Sequence, residues 1–426
     1  MPDVKNANLS YPGPHNITRV VLPNGITLLV RTNHTTPSFV IQGYLAAGSI
    51  QDAEDKLGTN VFTASLLTRG TAGRSFNQIF DQLESVGASL SFGGNVHTTS
   101  FNSKGLVEDL PGLLDLLYDV VTQPAFPSDQ VEKFRAQLLT ALAIRAQDTA
   151  EMASLAFDQI LYAGHPYRHP EEGYPETIQR ITRQDLIDFH HTHYGPRGMV
   201  ISIVGAVNAD QVVDWVADRF STWRNDRQPE QPALPELTPL HETTRHNVSI
   251  SGKSQADVVM GCAGPLRNSP DFMPASLGNN ILGVFGLMGR IGDVVREQSG
   301  LAYYAYTSLN AGTGPGSWEV SAGVNAENVE KAIRLIHSEV ARFIQEPVTE
   351  EELADSQANY IGRLPLSMES NAGVAAALVS MERYQLGLDY YQRYEDLVRS
   401  VTPGQILLTA QKYLQPEKMA IAVAGP

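Results

Sequence analysis

Three closely spaced histidines have the side-chain type and spacing that could hold a metal ion. His190, His191 and His193 occur in the stretch H-H-T-H. On a helix, residues 190 and 193 are neighbours on one face, so their imidazoles can share a metal ion. No pattern of flanking carboxylates that would indicate a catalytic site surrounds them. We therefore interpret the cluster as a partly exposed helix end, with adventitious metal binding as the alternative.

The remaining reactive side chains do not form a catalytic pattern. Cys262 is the single cysteine, so neither an internal disulfide nor a cysteine-based zinc site can form. Its neighbourhood, residues 258–262 (V-V-M-G-C), predicts a buried strand in which the thiol packs as a small apolar group. His165 and His169 lie in a proline-rich loop, and we expect structural roles for both.

The elements that would position these residues occur twice, about 220 residues apart. Residues 194–205 (Y-G-P-R-G-M-V-I-S-I-V-G) follow a helical pattern that starts after Thr182. Residues 413–425 (Y-L-Q-P-E-K-M-A-I-A-V-A-G) follow one that starts after Thr402. Each copy predicts a helix capped by threonine, then a tyrosine, Pro-x-x-Met and a strand that ends at glycine or just before it. The chain is therefore predicted to contain two homologous halves.

A proline-rich segment separates the two copies. Residues 224–246 contain four prolines with polar spacers, and proline at this density disfavours both helix and sheet. We predict an extended linker there, and the alternative is a long surface loop within one domain. The predicted domains are residues 1–223 and 247–426, joined by the linker 224–246.

Strand and helix patterns are mixed within each half. The predicted strands are a hairpin at 20–31 around Asn24-Gly25, then 39–45, 89–101 and 303–309. The predicted helices are 75–87, 106–121, 128–147, 289–298 and 325–344. A further helix is predicted to begin with a capping box formed by Thr349 and Glu352. This mixture predicts an α+β fold in which each half is an antiparallel sheet flanked by helices.

Composition limits the classes of function. The formal net charge is −15, which disfavours binding to nucleic acid and to anionic membrane surfaces. No apolar run reaches the roughly 18 residues of a membrane-spanning helix. Residues 1–14 lack the basic and apolar regions of a signal peptide, so we expect a cytoplasmic protein.

Several stretches, taken in order, resemble the M16 (inverzincin) metallopeptidases. That family includes the mitochondrial processing peptidase, the core subunits of cytochrome bc1 and bacterial paired proteases. The stretches are 22–30 (L-P-N-G-I-T-L-L-V), 48–49, 67–71, 81–92 (D-Q-L-E-S-V-G-A-S-L-S-F), 165–167 (H-P-Y), 199–207 and 290–303 (R-I-G-D-V-V-R-E-Q-S-G-L-A-Y). They span nearly the whole chain, and the resemblance implies the α+β fold predicted above.

The resemblance implies a metal site that these residues cannot form. An active M16 subunit carries His-x-x-Glu-His on an early helix, where the histidines bind zinc and the glutamate activates water. Counted back from Arg69-Gly70-Thr71, the ligand positions are Val61 and Ser65, and the glutamate position is Ala64. The third ligand would lie within 140–143, where there is no carboxylate. We therefore expect no metal cofactor in this chain.

The resemblance assigns a substrate-binding role to Arg296 and Tyr303. Partner subunits of the family carry such a pair in the second half, where guanidinium and phenol can donate hydrogen bonds to a peptide. In the alternative, Arg296 pairs with Asp293 on a solvated face and Tyr303 belongs to the core. Tyr304 and Tyr306 are the neighbouring alternatives to Tyr303, and Tyr304 is expected on the opposite strand face. The glycine-rich run 283–290 would be either a substrate-associated loop or a close helix–sheet contact.

Together these features imply a zinc-free, non-catalytic subunit of a two-subunit metallopeptidase. Zinc is expected in a sister subunit with an intact motif, and a peptide substrate would be held between the sister's metal and Arg296 with Tyr303. Two alternatives remain open. One is an inert structural subunit that resembles the bc1 core proteins, and the other is a peptide-binding homodimer without catalysis.

Overall fold

The computed structural model describes residues 11–426, apart from the side chains of Leu287 and Met288. The strands are β1 (Thr18–Val21), β2 (Thr27–Thr32), β3 (Ser38–Leu45), β4 (Ser89–Gly94), β5 (Thr99–Leu106), β6 (Val200–Gly205), β7 (Thr244–Ser249), β8 (Gln255–Ala263), β9 (Ala302–Leu309), β10 (Ser317–Asn325) and β11 (Ala420–Gly425).

The helices are α1 (Thr59–Leu66), α2 (Phe76–Ser85), α3 (Leu110–Thr122), α4 (Ser128–Arg145), α5 (Thr149–Leu161), α6 (Pro175–Arg180), α7 (Arg183–His193), α8 (Ala209–Phe220), α9 (Phe272–Gly283), α10 (Phe285–Gly292), α11 (Val329–Phe343), α12 (Glu350–Ser367), α13 (Asn371–Arg383), α14 (Tyr394–Arg399) and α15 (Pro403–Tyr413). A π-helical segment, Asp293–Gln298, continues α10.

Two mixed sheets form the framework. The six-stranded sheet has the order β1-β2-β6-β3-β5-β4, and the five-stranded sheet has the order β7-β11-β8-β10-β9. Each contains one parallel pair, β2 with β6 and β7 with β11, while the other pairs are antiparallel. Helices flank both sheets, so the predicted α+β fold is confirmed.

Local signals at turns and helix ends are confirmed. Asn24-Gly25 joins β1 to β2, with Gly25 at a φ of 93° that favours glycine. Capping boxes form between Ser75 and Gln78 at the start of α2, and between Thr349 and Glu352 before α12. The N-cap threonines of α7 and α15 each accept a backbone hydrogen bond as predicted.

The prediction of one strand over 89–101 was wrong. That segment is a hairpin of β4 and β5, because the chain reverses at Asn95, whose backbone N–H donates to the carbonyl of Thr98 at 2.8 Å. The Asn95 amide also donates to the carbonyl of Gly93 at 3.2 Å. The alternation of apolar and polar residues runs across the turn, so periodicity alone did not reveal it.

One compact unit contains residues 11–142, 170–233 and 365–392. One face of its six-stranded sheet packs on α1, α3 and α8 through a buried core. Helix α13, which comes from the second half of the sequence, packs on β3 and β6. The core includes the fully buried side chains of Phe39, Ile41, Phe62, Leu114 and Phe220.

The other compact unit contains residues 143–169, 234–364 and 393–426. Helix α5, which comes from the first half of the sequence, packs on β8 and β11. Leu237 and Leu240, in the proline-rich segment, pack on the same cluster. The compact units therefore interleave along the sequence, whereas the predicted boundaries at 223 and 247 separate the two copies of the repeat and stay a prediction.

Within residues 11–426, no helix combines the length and the apolar composition that a bilayer-spanning segment requires.

Candidate functional site

Helix α1, which carries the positions implied for the metal, is held rigidly at its first turn. The carboxylate of Asp52 accepts hydrogen bonds from the backbone N–H of Gly58 at 2.8 Å and of Asn60 at 2.9 Å. Burial of Asp52 raises the pKa of its carboxyl to about 7, against the opposing effect of these hydrogen bonds. The side chain of Asn60 is fully buried and accepts from the Thr99 hydroxyl at 3.0 Å.

The side chains on α1 do not fit a zinc ion. Val61 and Ser65 are one helical turn apart on the same face, and both are half-buried. Ala64, at the position implied for the general base, is 1% exposed. A valine, an alanine and a serine offer neither imidazole nor carboxylate, so this face has no donor set for zinc.

The region implied for the third ligand lies in α4. Thr140 is exposed, and its hydroxyl donates to the carbonyl of Ala136 at 2.9 Å, within the same helix. Across residues 11–426, no group of three or more histidine, cysteine, aspartate or glutamate side chains is arranged to hold a metal ion.

A free strand edge lies beside α1. β4 is the last strand of the six-stranded sheet, so one of its edges has backbone groups that pair with no other strand of that sheet. A Cβ placed on Gly94, at the end of β4, would lie 2.8 Å from the Cα of Val61. The free edge thus ends against the helix implied for the metal. Sequence reasoning missed it because 89–101 was assigned to one strand.

Arg296 lies in the π-helical segment after α10. Its side chain is 37% exposed, and its Nε lies 3.6 Å from a carboxylate oxygen of Glu297. The alternative pairing with Asp293 is not observed; Asp293 accepts a hydrogen bond from Gln298 at 2.6 Å. Gly300, at a φ of 61°, follows the end of the segment, and its N–H donates to the carbonyl of Arg296.

Tyr303 protrudes from the edge strand of the other sheet. In β9, Ala302 pairs with Val324 and Tyr304 pairs with Gly323, so Tyr303 is the extra residue of a β-bulge. Its side chain is 65% exposed, so it does not belong to the core. Both Arg296 and Tyr303 are thus accessible to a ligand, on consecutive elements of the same compact unit.

The neighbouring tyrosines have different surroundings. The Tyr304 hydroxyl donates to the carboxylate of Asp257, which is 2% exposed and also accepts from Thr149. Burial and this carboxylate both raise the pKa of Tyr304. Tyr304 is therefore a structural group, whereas Tyr306 is 40% exposed on the same strand.

The glycine-rich run forms a close contact between α9 and β9. A Cβ on Gly283 would lie 2.5 Å from the Thr307 side chain and 2.6 Å from its backbone nitrogen. Gly289 has a φ of 61° and lies similarly close to the backbone of Ile281. The interpretation as a helix–sheet contact therefore fits both glycines, although Val284 and Phe285 remain partly exposed.

The histidine cluster ends α7, as predicted. His190 is 6% exposed, and its Nε2 lies 2.8 Å from the carbonyl oxygen of Val121. Burial lowers the pKa of His190 to about 4, so this imidazole is neutral at ordinary pH. His191 is exposed.

Cys262 is buried in β8, and burial raises the pKa of its thiol to about 11, as suits a structural residue.

Sequence models of two domains match the chain. The one described as "Insulinase (Peptidase family M16)" matches residues 27–169, and the one described as "Peptidase M16 inactive domain" matches residues 180–360. An uncharacterized zinc protease of Mycobacterium tuberculosis is 26% identical over 412 residues, which is 96% of this chain and 93% of that protein. Subunit 1 of the mitochondrial cytochrome b-c1 complex of Rattus norvegicus is 29% identical over 269 residues, which is 62% of this chain and 54% of that protein.

Solved structures share the same architecture. A peptidase M16 inactive domain from Pseudomonas fluorescens is 27% identical, with a TM-score of 0.88 that covers 96% of this chain and 98% of that one. A protease from Helicobacter pylori also superimposes with a TM-score of 0.88 at 18% identity, covering 98% of this chain and 100% of that one. The second likeness concerns the fold alone.

Proposed function

Because this chain belongs to the M16 family of metallopeptidases, we propose that it is a non-catalytic partner subunit of a two-subunit peptidase. The observation that carries this proposal is the chemistry of α1. Asp52 holds the first turn of this helix, yet the helix presents Val61, Ala64 and Ser65 where zinc ligands and a general base are required. Peptide hydrolysis would therefore take place at the zinc of a sister subunit.

Two free strand edges support a role in peptide binding. β4 and β9 are terminal strands of their sheets, and an extended peptide can add to such an edge through backbone hydrogen bonds. The exposed Tyr303 and Arg296 would add directed donors next to β9. An arginine side chain offers five N–H donors and a phenol offers one, and all of them match peptide carbonyl oxygens.

Within the proposed complex, this chain contributes positioning and charge stabilisation. Arg296 and Tyr303 would donate hydrogen bonds to the substrate carbonyls, and one of these bonds would strengthen as negative charge develops on the oxygen. Each such donor contributes about 2.7–4 kcal/mol of transition-state stabilisation where it acts directly on the reacting oxygen. Neither residue has to exchange a proton in this role.

Co-expression with a zinc-bearing M16 sister tests the proposal. We expect cleavage of unstructured peptides by the mixture and not by this chain alone, with a marked loss in Arg296→Ala and in Tyr303→Phe. Arg334→Ala, which removes an exposed arginine on α11, is the matched control and should keep full activity. Full activity of the sister alone would contradict the proposal.

The relation to the cytochrome b-c1 subunit favours a second candidate, an inert scaffold. In that case the chain would stabilise an assembly without contacting a substrate. Arg296→Ala and Tyr303→Phe would then leave the activity and the assembly of the complex unchanged. A peptide-binding homodimer is a third candidate, and gel filtration of the chain with and without the sister separates it from the heterodimer.

A further inference from the structure

A cleft of about 560 Å³ lies on the face of the six-stranded sheet that α13 only partly covers. Helix α13 packs on β3 and β6 and leaves the same face of β5 and β4 open. The cleft extends from the helix to Ser91 and Gly93 of the edge strand. It therefore opens at the free edge of β4, where an extended peptide would add.

The floor of the cleft carries polar side chains in addition to Phe92 and Phe101. Asn102 of β5 lies directly between Gln42 of β3 and Ser91 of β4, so the three side chains form one row on one face. Two residues further along each strand, Ser100 of β5 pairs with Gly93 of β4 to form the next row on that face. Hydroxyl and amide groups thus line the floor, and no carboxylate is among the lining side chains.

Helix α13 forms the wall of the cleft through one helical face. Ala376, Val379, Ser380 and Arg383 line it, with the spacing of successive turns. Arg383, on the last turn, lies 5.7 Å from the ring centre of Tyr44. The wall therefore combines the apolar Ala376 and Val379 with the Ser380 hydroxyl and ends in one guanidinium group.

The Arg383 guanidinium is available to a ligand. The neighbouring Glu382 is bound on the other side by Arg19, through two hydrogen bonds of 2.9 and 2.7 Å. Among the ion pairs within residues 11–426, none involves Arg383 or Lys104. Lys104 is exposed on the same sheet face, two residues along β5 from Asn102. Two cations without carboxylate partners thus face this side of a chain whose net charge is −15.

We propose that this cleft selects acidic side chains of an extended peptide bound along β4. The inference rests on the proposed peptide-binding function and adds the chemical class of the ligand. A strand added to β4 directs every second side chain to the face of the cleft. Arg383 lies near the row of Gly93, and Lys104 pairs with Ser89 at the far end of β4. These rows are four residues apart, so the preferred peptide carries carboxylates at positions i and i+4.

Fluorescence anisotropy with the full chain tests this selection. The probes are three unstructured peptides that differ only at positions i and i+4, which carry glutamate, glutamine or lysine. We expect the glutamate peptide to bind about tenfold more tightly than the glutamine peptide, because each of the two ion pairs contributes about threefold. The lysine peptide should bind more weakly than either, and added salt should reduce the differences.

Variants of the cleft identify the selecting group. Arg383→Gln should remove the contribution of the glutamate near the row of Gly93, so the preference for glutamate over glutamine falls to about threefold while the affinity for the glutamine peptide stays unchanged. Lys104→Gln should remove the contribution of the other glutamate. Arg334→Gln, on α11 of the other compact unit, changes the net charge equally and should keep the full preference.

The outcomes separate this inference from the function it rests on. Equal binding of all three peptides to the unmodified chain overturns the charge selection and leaves peptide binding in place. A preference that is undiminished in Arg383→Gln also overturns it. Absence of binding by every peptide removes both proposals. The comparison of peptides on the unmodified chain stands even if a variant fails to fold.

Discussion

At the scale of single residues, α1 is held in place by hydrogen bonds, but it carries no metal-ligating side chain at the positions implied for zinc. Asp52 and Asn60 hold the first turn of the helix through buried and partly buried hydrogen bonds. Val61, Ala64 and Ser65 then place apolar or weakly polar groups at the positions implied for zinc chemistry. A fold that positions a helix so firmly therefore does not by itself imply the chemistry of its relatives.

The buried imidazole of His190 should make stability depend on pH. Its pKa is about 4 in the folded chain and about 6.5 when unfolded, so the unfolded state binds the proton first as pH falls. The stabilisation is complete above pH 6.5 and is lost between pH 6.5 and pH 4, by at most about 3 kcal/mol. Urea unfolding at pH 7 and pH 4.5 measures it. His190→Gln should show a smaller difference, and an equal difference in both proteins would contradict this assignment.

The ion pair between Arg290 and Glu352 should make stability depend on pH in a more acidic range. Burial alone would raise the pKa of Glu352, but hydrogen bonds from Arg290 and Thr349 outweigh it and hold the pKa at about 2. The pair therefore stabilises the fold above the unfolded pKa of about 4.5, and this contribution disappears as pH falls towards 2.

Thermal unfolding of Glu352→Gln tests this pair. The variant should have a lower Tm than the parent at pH 6, and the two curves should converge at pH 2.5. Glu395→Gln, which breaks the exposed pair with Arg399, is the control and should change Tm little at any pH. A Tm difference that stays constant from pH 6 to pH 2.5 would show that ionisation of Glu352 is irrelevant.

At the scale of elements, local signals predicted part of the structure. The Asn24-Gly25 turn and the capping boxes depend on adjacent residues, so the sequence alone identified them. The π-helical segment, the bulge at Tyr303 and the order of strands depend on packing between distant segments, and no local pattern encodes them. Arg383 was missed for the same reason, because its role depends on where α13 packs.

The contact between α9 and β9 should not tolerate a side chain at residue 283. Gly283→Ala would place a Cβ 2.6 Å from the backbone nitrogen of Thr307, so the strand must shift. We expect a loss of about 1–3 kcal/mol in the free energy of unfolding, the usual cost of overpacking.

Gly362→Ala is the matched control for this contact. Gly362 lies within α12, where a Cβ meets no atom within 4 Å, so alanine should stabilise the chain by roughly 0.5–1 kcal/mol. Chemical denaturation of both variants measures the two effects. If Gly283→Ala proved as stable as the parent, the close helix–sheet contact would be wrong.

At the scale of the whole molecule, each compact unit needs a helix from the other half of the sequence. Helix α13 covers β3 and β6 of the first unit, and α5 covers β8 and β11 of the second. The repeat in the sequence predicted two homologous halves, but it contained no sign of this exchange. The exchange joins segments that are far apart in sequence, and amphipathic periodicity does not specify which sheet a helix covers.

The half-chain 1–223 should therefore not fold by itself. It lacks α13, so the apolar residues Val40, Val200 and Val204 on the sheet face under that helix would be exposed. We expect a broad thermal transition and rapid proteolysis for 1–223 alone, and recovery of cooperative unfolding when 224–426 is co-expressed. A sharp transition of the isolated half, at the Tm of the full chain, would be the opposite result.

Zinc content and peptidase activity of the purified full-length chain test the central claim most directly. After incubation with zinc and removal of the excess, elemental analysis should find no stoichiometric zinc, and unstructured peptides should stay intact until a zinc-bearing sister is added. One tightly bound zinc ion per chain, together with peptide cleavage by the chain alone, would contradict the account.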